Sequence, residues 1–303
     1  MISAQIIGGL GNQLFIIFHA IAQSIRINQP FIFIQTDSHG GDTAIKRYTY
    51  WDSDSFLHKL KKHLIKEYPP GIEHQSIKER GFPYSPLSIP VLPQAHTDCI
   101  YIFEGYFQSY KYFKDVFDQI CEKIGVKDHL DNILPWFQTN GLIQQNTISM
   151  HFRIGDYRHL QHYHPIMSYE YYENSLQTIL EKDPIENPCI LYFCEEPDLE
   201  EVHGTIHRLQ SRFPQCTYVY INEMRLTDPN ANISDWQQMM VMSLCKHNII
   251  ANSTFSWWGA YFNPNETGEQ IVCYPDTWFG PGIPVNTDDL FPANWYREPT
   301  VTL

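Results

Sequence analysis

From Thr147 to the C-terminal region the chain alternates short, continuously apolar runs with amphipathic ones, and this alternation constrains the fold more than any other feature. "TISMHFRI" (147–154), "PCILYFCEE" (188–196), "CTYVYIN" (216–222), "NIIANS" (248–253) and "QIVCYP" (270–275) read as strands. Between them, "SYEYYENSLQTILEK", "DLEEVHGTIHRLQSRF" and "SDWQQMMVMSLCKH" carry apolar residues at helical spacing, and a short helix follows "NIIANS". Strands that are apolar throughout, rather than at every second position, belong to a parallel sheet covered by helices on both faces. In such a sheet ligands bind beyond the carboxyl ends of the strands.

The first 36 residues read as β-α-β: "AQIIGG", the helical "NQLFIIFHAIAQSIR", and "FIFIQT" after Pro30. Residues 37–98 show mixed charge, many prolines and no clear period. "CIYIFEGYFQS" (99–109) is a strand ending in a glycine turn, and 111–138 has helical spacing. "LPWFQTNGL", with Pro135, Asn140 and Gly141, is the expected linker. The reading is therefore α/β with two domains, 1–140 and 141–303, of which the second is a parallel sheet with helices on both faces.

A chain of 303 residues with 43% hydrophobic residues can bury two cores. Its net charge of −13 excludes a nucleic-acid or anionic-membrane surface, though a phosphorylated small molecule needs only a few local donors. No apolar window is long enough for an integral membrane segment and "MISAQIIGGLGNQ" has no basic leader, so the expectation is a soluble, cytoplasmic protein. The seven cysteines are scattered without a C-x-x-C pair and read as reduced thiols. The N-x-S/T triplets at Asn232, Asn252 and Asn265 carry no meaning without a secretory context.

Four segments fall at strand ends. In "GGLGNQ" (Gly8–Gln13), glycines permit close backbone approach and the amides opening the next helix favour an anion. Gly9 and Gly11 fit G-x-G but position 14 is Leu, so this is no dinucleotide fingerprint, and a plain tight turn explains it equally well. In "HFRIGDYR", His151 and Arg153 alternate onto one face. A charge at the end of a buried strand is either paired, here with Asp156, or serves a ligand such as a diphosphate, which suits the guanidinium fork. Asp156 reads as a support for the turn or for Arg153. In "FCEEPD", the acids suit a base or ribose, but Asp198 precedes an apolar-periodic run and reads as a helix cap. Finally, Asn252, Ser253 and Thr254 close a strand and open a helix, where Ser and Thr bind phosphate without a metal. Of Trp257 and Trp258 one turn later, at least one should enter the core, with core and ligand equally open to the other. His159, His162 and His164 match no zinc template, and no G-x-S-x-G elbow occurs.

Together, "GGLGNQLFIIFHAIA", "EGYFQSYKYF", "HFRIGDYR", "HYHPIMSYEYY" and "CKHNIIANSTFSWWGAYF" resemble glycosyltransferase family 11, the α-1,2-fucosyltransferases, in order and spacing from residue 5 to about 280. The resemblance implies two Rossmann-like domains of the GT-B type, with the N-terminal one on the acceptor side and GDP-fucose held by the C-terminal one. It further implies inverting transfer of L-fucose to the 2-hydroxyl of a galactose-containing oligosaccharide, with no metal or other cofactor. His151 and Arg153 would contact guanine and diphosphate, and with Asp156 make up the implied catalytic set. Ser253 and Thr254 would hold phosphate, with Asn252 and Phe255 beside them in the donor site, while Gly9, Gly11, Asn12 and Gln13 would close over the donor. Asp235 is the matching acid for guanine, one turn earlier than expected, with Gln238 at the nearer position. Ile154 replaces the second Arg of the family's H-x-R-R-G-D, and "FCEE" replaces its "FSDD"-like strand end. Glu104, His151 and Asp156 are the possible general bases. Fucose transfer in another linkage, or a catalytically silent glycan- or nucleotide-binding protein, are the alternatives.

Overall fold

The computed structural model describes residues 1–36, 38–39, 47–86, 99–224, 233–264 and 269–300. Asn232 and Asn265 lie outside these residues. The chain divides into two units: Met1–Lys127 with Val285–Pro292, and Asp128–Pro284 with Ala293–Leu303.

The first unit opens with β1 (Ile2–Ala4) and α1 (Leu10–Arg26). Short pairs follow: β2 (Phe33–Ile34) lies parallel to β5 (Leu64–Ile65), and β3 (Ser38–His39) antiparallel to β4 (Arg47–Tyr48). β6 (Glu73–Lys78), β7 (Cys99–Glu104) and α2 (Phe117–Ile124) complete it. Its principal sheet is parallel, in the order β1-β7-β6. α1 is buried almost throughout, with Leu14 to Phe18 all inaccessible, which explains the unbroken apolar run "LFIIF". β6, "EHQSIK", went unread because it is an edge strand whose residues are mostly exposed, so no apolar period marks it.

The second unit comprises α3 (Val126–Thr139, which begins two residues before the division), β8 (Thr147–His151), α4 (Tyr169–Lys182), β9 (Cys189–Phe193), α5 (Leu199–Arg212), β10 (Thr217–Tyr220), α6 (Asp235–Leu244), β11 (His247–Ile249), α7 (Thr254–Tyr261), β12 (Val272–Pro275) and β13 (Tyr296–Glu298). The expected linker is instead the end of a helix. α3 runs through Pro135 to Thr139, and the division falls at Lys127–Asp128 rather than at 140. Val126 follows the left-handed Gly125 that ends α2, and this glycine is the true break.

The second sheet is wholly parallel, in the order β10-β9-β8-β11-β12-β13. β8 is buried at all five positions, so both its faces are covered. α4 lies against β11, β12 and β13, α5 against β10, and α6 against α7. Strand order advances from β8 to β9 and β10 on one side and from β11 to β12 and β13 on the other. The switch point of the topology is therefore the β8–β11 pair. All seven cysteines are free. Among the described residues no helix is long and apolar enough to cross a membrane.

Candidate active site

In a doubly wound sheet the crevice for a ligand opens beyond the carboxyl ends of the two strands at the switch point. Here those ends carry His151–Arg153, leaving β8, and Asn252–Thr254, leaving β11. The structure joins them: the His151 and Phe255 rings lie 5.6 Å apart, and the Tyr157 hydroxyl donates to the Asn252 carbonyl at 3.2 Å.

His151 is 8% exposed, and Tyr172 donates to its carbonyl at 3.1 Å. Burial, reinforced by the Arg153 charge, pushes its imidazole pKa down to about 3, so the ring is neutral at physiological pH. Its Nδ1 is buried and has no hydrogen-bond partner among the described residues. Arg153 donates to both Asp156 and Glu195, and its guanidinium lies 5.0 Å from the Tyr157 ring centroid. Tyr157 stacks in turn on His164 at 4.8 Å. The support expected from Asp156 is thus shared with Glu195, and both of Arg153's terminal nitrogens are engaged. Glu195, whose strand-end acid suited a base or ribose, instead pairs with Arg153, and Tyr157 is the residue here that sequence reasoning left without a role. The only signal for Tyr157 was its place four residues beyond Arg153.

Asp198 does not cap α5: although it is the N-cap residue, its side chain makes no cap hydrogen bond. Instead its buried carboxylate accepts the Gly155 amide at 2.7 Å and lies 3.2 Å from Arg158. A carboxylate with a backbone amide and a guanidinium in reach is drawn to the charged donor rather than to its own helix. It thereby ties the turn after Arg153 to the end of β9.

Asn252 is 2% exposed and spends both amide hydrogens on the loops around it, donating to the Pro165 carbonyl at 2.9 Å and the Trp278 carbonyl at 3.1 Å. Its Oδ1 is buried without a partner among the described residues. Ser253 is the N-cap of α7, yet its side chain makes no cap hydrogen bond, so the first-turn amides are not satisfied by their own cap. Trp257 and Trp258 are both fully buried, and their rings stand 5.1 Å apart. Of the two places open to the second tryptophan, the structure gives it the core, since two indoles in adjacent positions both fit around Tyr261, Phe262 and Trp295. Asp235 begins α6 and is exposed, its Oδ1 accepting the Trp236 amide at 2.7 Å, while Ser234 and Gln237 form a capping box. Gln238, nearer the expected position, donates to the Ile233 carbonyl. His162 and His164 pack in the same loop, and among the described residues no three His, Cys, Asp or Glu side chains group as metal ligands.

In the first unit, Gly9 is the N-cap of α1, so Gly11, Asn12 and Gln13 lie in its first turns rather than in a loop. Asn12 Oδ1 accepts from Gln108 Nε2 at 2.9 Å. Gln13 is fully buried and donates to the carbonyls of Gly8 and Tyr48, so its amide hydrogens serve the fold.

Residues 91–297 match the model described as glycosyl transferase family 11. The O-antigen biosynthesis glycosyltransferase WbnK of Escherichia coli is 30% identical over 177 residues, 51% of each chain, so the match spans little more than half of that relative. The alpha-1,2-colitosyltransferase of Escherichia coli is 24% identical over 98% of both chains. Among solved structures, similarity is found to a GDP complex of a mutant Arabidopsis thaliana FUT1, at 8% identity and TM-score 0.44 over 86% of this chain and 68% of that one. It is also found to the E. coli ADP-heptose lps heptosyltransferase II, at 11% identity and TM-score 0.33 over 56% and 42%. On the match over residues 91–297, the chain belongs to glycosyl transferase family 11.

Proposed function

We propose that the chain transfers L-fucose from GDP-β-L-fucose to the 2-hydroxyl of a β-galactoside with inversion and without a metal. In this reading the second unit holds the donor and the first the acceptor. The observation that carries it is the meeting of His151–Arg153 with the uncapped start of α7 at the switch point of the second sheet. In a single displacement, negative charge grows on the departing diphosphate, and donors fixed in advance lower the barrier because they need no reorganisation. Arg153 is such a donor, clamped by Asp156 and Glu195 and underlain by Tyr157. Ser253, Thr254 and the first amides of α7 add neutral donors and the positive end of a helix dipole. His151, uncharged, offers the guanine an imidazole in place of a cation. Asp235, at the start of α6, is the proposed partner for the guanine N–H groups.

A second reading concerns the donor sugar. A relative named for α-1,2-colitosyl transfer aligns over 98% of both chains, and colitose is the 3-deoxy counterpart of fucose. One experiment tests both: GDP release from GDP-fucose and from GDP-colitose, with EDTA present, across lactose, N-acetyllactosamine and Gal-β1,3-GalNAc. Release from GDP-fucose that requires a β-galactoside, with an NMR assignment of the new bond to O2, is the expected result. Preference for GDP-colitose moves the donor, and abolition by EDTA overturns metal independence. Arg153→Ala should lower turnover by about 10²–10³-fold with an unchanged circular-dichroism spectrum. Normal turnover by the folded variant would sink the diphosphate assignment.

A further inference from the structure

Arg153 is the guanidinium at the end of β8, and it has two anionic partners of its own. Nη1 donates to Glu195 and Nη2 to Asp156, while the Tyr157 ring lies 5.0 Å from the guanidinium carbon. One cation between two carboxylates leaves an excess of negative charge. A diphosphate bonded to this arginine would stand beside both carboxylates, and like charges at that range repel. One of the two has to give way.

The two are not held alike. Asp156 sits in the turn Gly155–His159 that directly follows Arg153, so it travels with the arginine, and its side chain is 25% exposed. Glu195 comes from a different strand, just past the end of β9, and its side chain is 56% exposed. An ion pair on a long, exposed side chain is weak, because water screens it and holding the rotamer costs entropy. Asp198 cannot take its place, being engaged by the Gly155 amide at 2.7 Å and by Arg158 at 3.2 Å. Position 155 leaves room for Glu195 to lie over the turn. Gly155 has φ +32°, and a Cβ there would stand 3.0 Å from Glu195 Oε2 and 3.2 Å from Oε1.

We propose that Glu195 is an internal substitute for the diphosphate: it pairs with Arg153 until a nucleoside diphosphate displaces it, while Asp156 keeps the guanidinium in place. This rests on the transferase reading above. No covalent bond changes in the exchange, which trades one ion pair for another within the second unit. Arg153 is thereby spared a largely buried charge with too few partners, since such a charge is costly. The substitute has a cost in affinity. The nucleotide binds only the fraction of molecules in which Glu195 has swung away, so its apparent Kd is raised by that factor. The longer acid of "FCEE" is thus a device that limits how tightly the site holds its nucleotide.

Titration of the whole chain with GDP, read by calorimetry, tests this. Glu195→Gln removes the charge at constant size, and Glu195→Ala removes the carboxylate altogether. Both variants should keep the wild-type circular-dichroism spectrum and bind GDP more tightly, with Kd lowered by about 5-fold at low ionic strength. The gain should shrink as salt is raised, because screening loosens the wild-type pair as well. A residue that merely supports Arg153 has the opposite sign, a loss of affinity on removal, and Asp156→Asn should show it. Unchanged or weaker GDP binding by both Glu195 variants would overturn the proposal and leave the transferase reading intact. A gain confined to Glu195→Gln would also overturn it, for it would come from a new amide hydrogen bond. Failure of the wild-type chain to bind GDP at all would overturn both.

Discussion

Two histidines, one in each unit, are held neutral by burial, and this makes the folded chain sensitive to acid. His19 is inaccessible, stacked on Phe107 at 4.1 Å and edge-on to Phe103 and Tyr112, with neither ring nitrogen hydrogen-bonded among the described residues. Burial, with a smaller contribution from Arg26, depresses its pKa to about 3, as burial does for His151. Between the ordinary value of 6.5 and about 3 the unfolded chain binds a proton on each that the folded chain refuses. Stability is therefore whole above pH 6.5 and falls as pH drops, by about 1.4 kcal/mol per unit for each group. His19→Phe fills the same aromatic cage without a titrating group. The first unit of that variant should lose about 2–3 kcal/mol less than wild type between pH 7 and 4.5, read by urea denaturation at the two pH values. An equal loss would mean that His19 finds a proton partner in the fold.

At the scale of elements, the helix start at Ser253–Thr254 is only as well placed as α7 is, and α7 is seated on α6 through Gly259. A Cβ at Gly259 would stand 2.8 Å from the Met242 Cβ and 2.9 Å from its sulfur. The first of these atoms cannot be moved by a rotamer change, so Gly259→Ala must push the helices apart. The expected cost is about 1–3 kcal/mol, offset in part by alanine's higher helix propensity, together with weaker binding of the proposed donor nucleotide as α7 shifts. Pairing it with Met242→Ala in a double-mutant cycle should recover part of both losses, because the two sites share one contact; strict additivity would show that α7 does not move. The strands and helices of the second unit were legible because a buried parallel strand must be apolar along its length, and Arg153 stood out as a charge where such a strand ends. β6 was not legible, for an edge strand of polar residues has no period to read. β13, "YRE", was missed for the same reason.

For the whole molecule, sequence order and unit membership part company near the C-terminus. Residues Val285–Pro292 belong to the first unit although the chain on either side belongs to the second. The anchor is Asp289: its carboxylate accepts the Tyr84 amide at 3.0 Å and pairs with Lys111, while its carbonyl accepts the Ser109 hydroxyl at 2.5 Å. No pattern in residues 276–303 announces this, since the bonds join positions some 180 residues apart through one carboxylate and one carbonyl. A boundary drawn along the sequence, at 140 or elsewhere, leaves the first unit without one of its own segments. Asp289→Ala should therefore weaken the unit that begins at Met1, by about 1–2 kcal/mol for a lost charged hydrogen-bond set, and not the unit that surrounds it in sequence. Two units with separate cores need not unfold together, so hydrogen exchange resolved by segment is the measurement. Protection should fall in α1 and β7 and stay constant in β8 and β9. Loss confined to β8 and β9 would assign the segment to the second unit, and a uniform loss would make the two units one cooperative block.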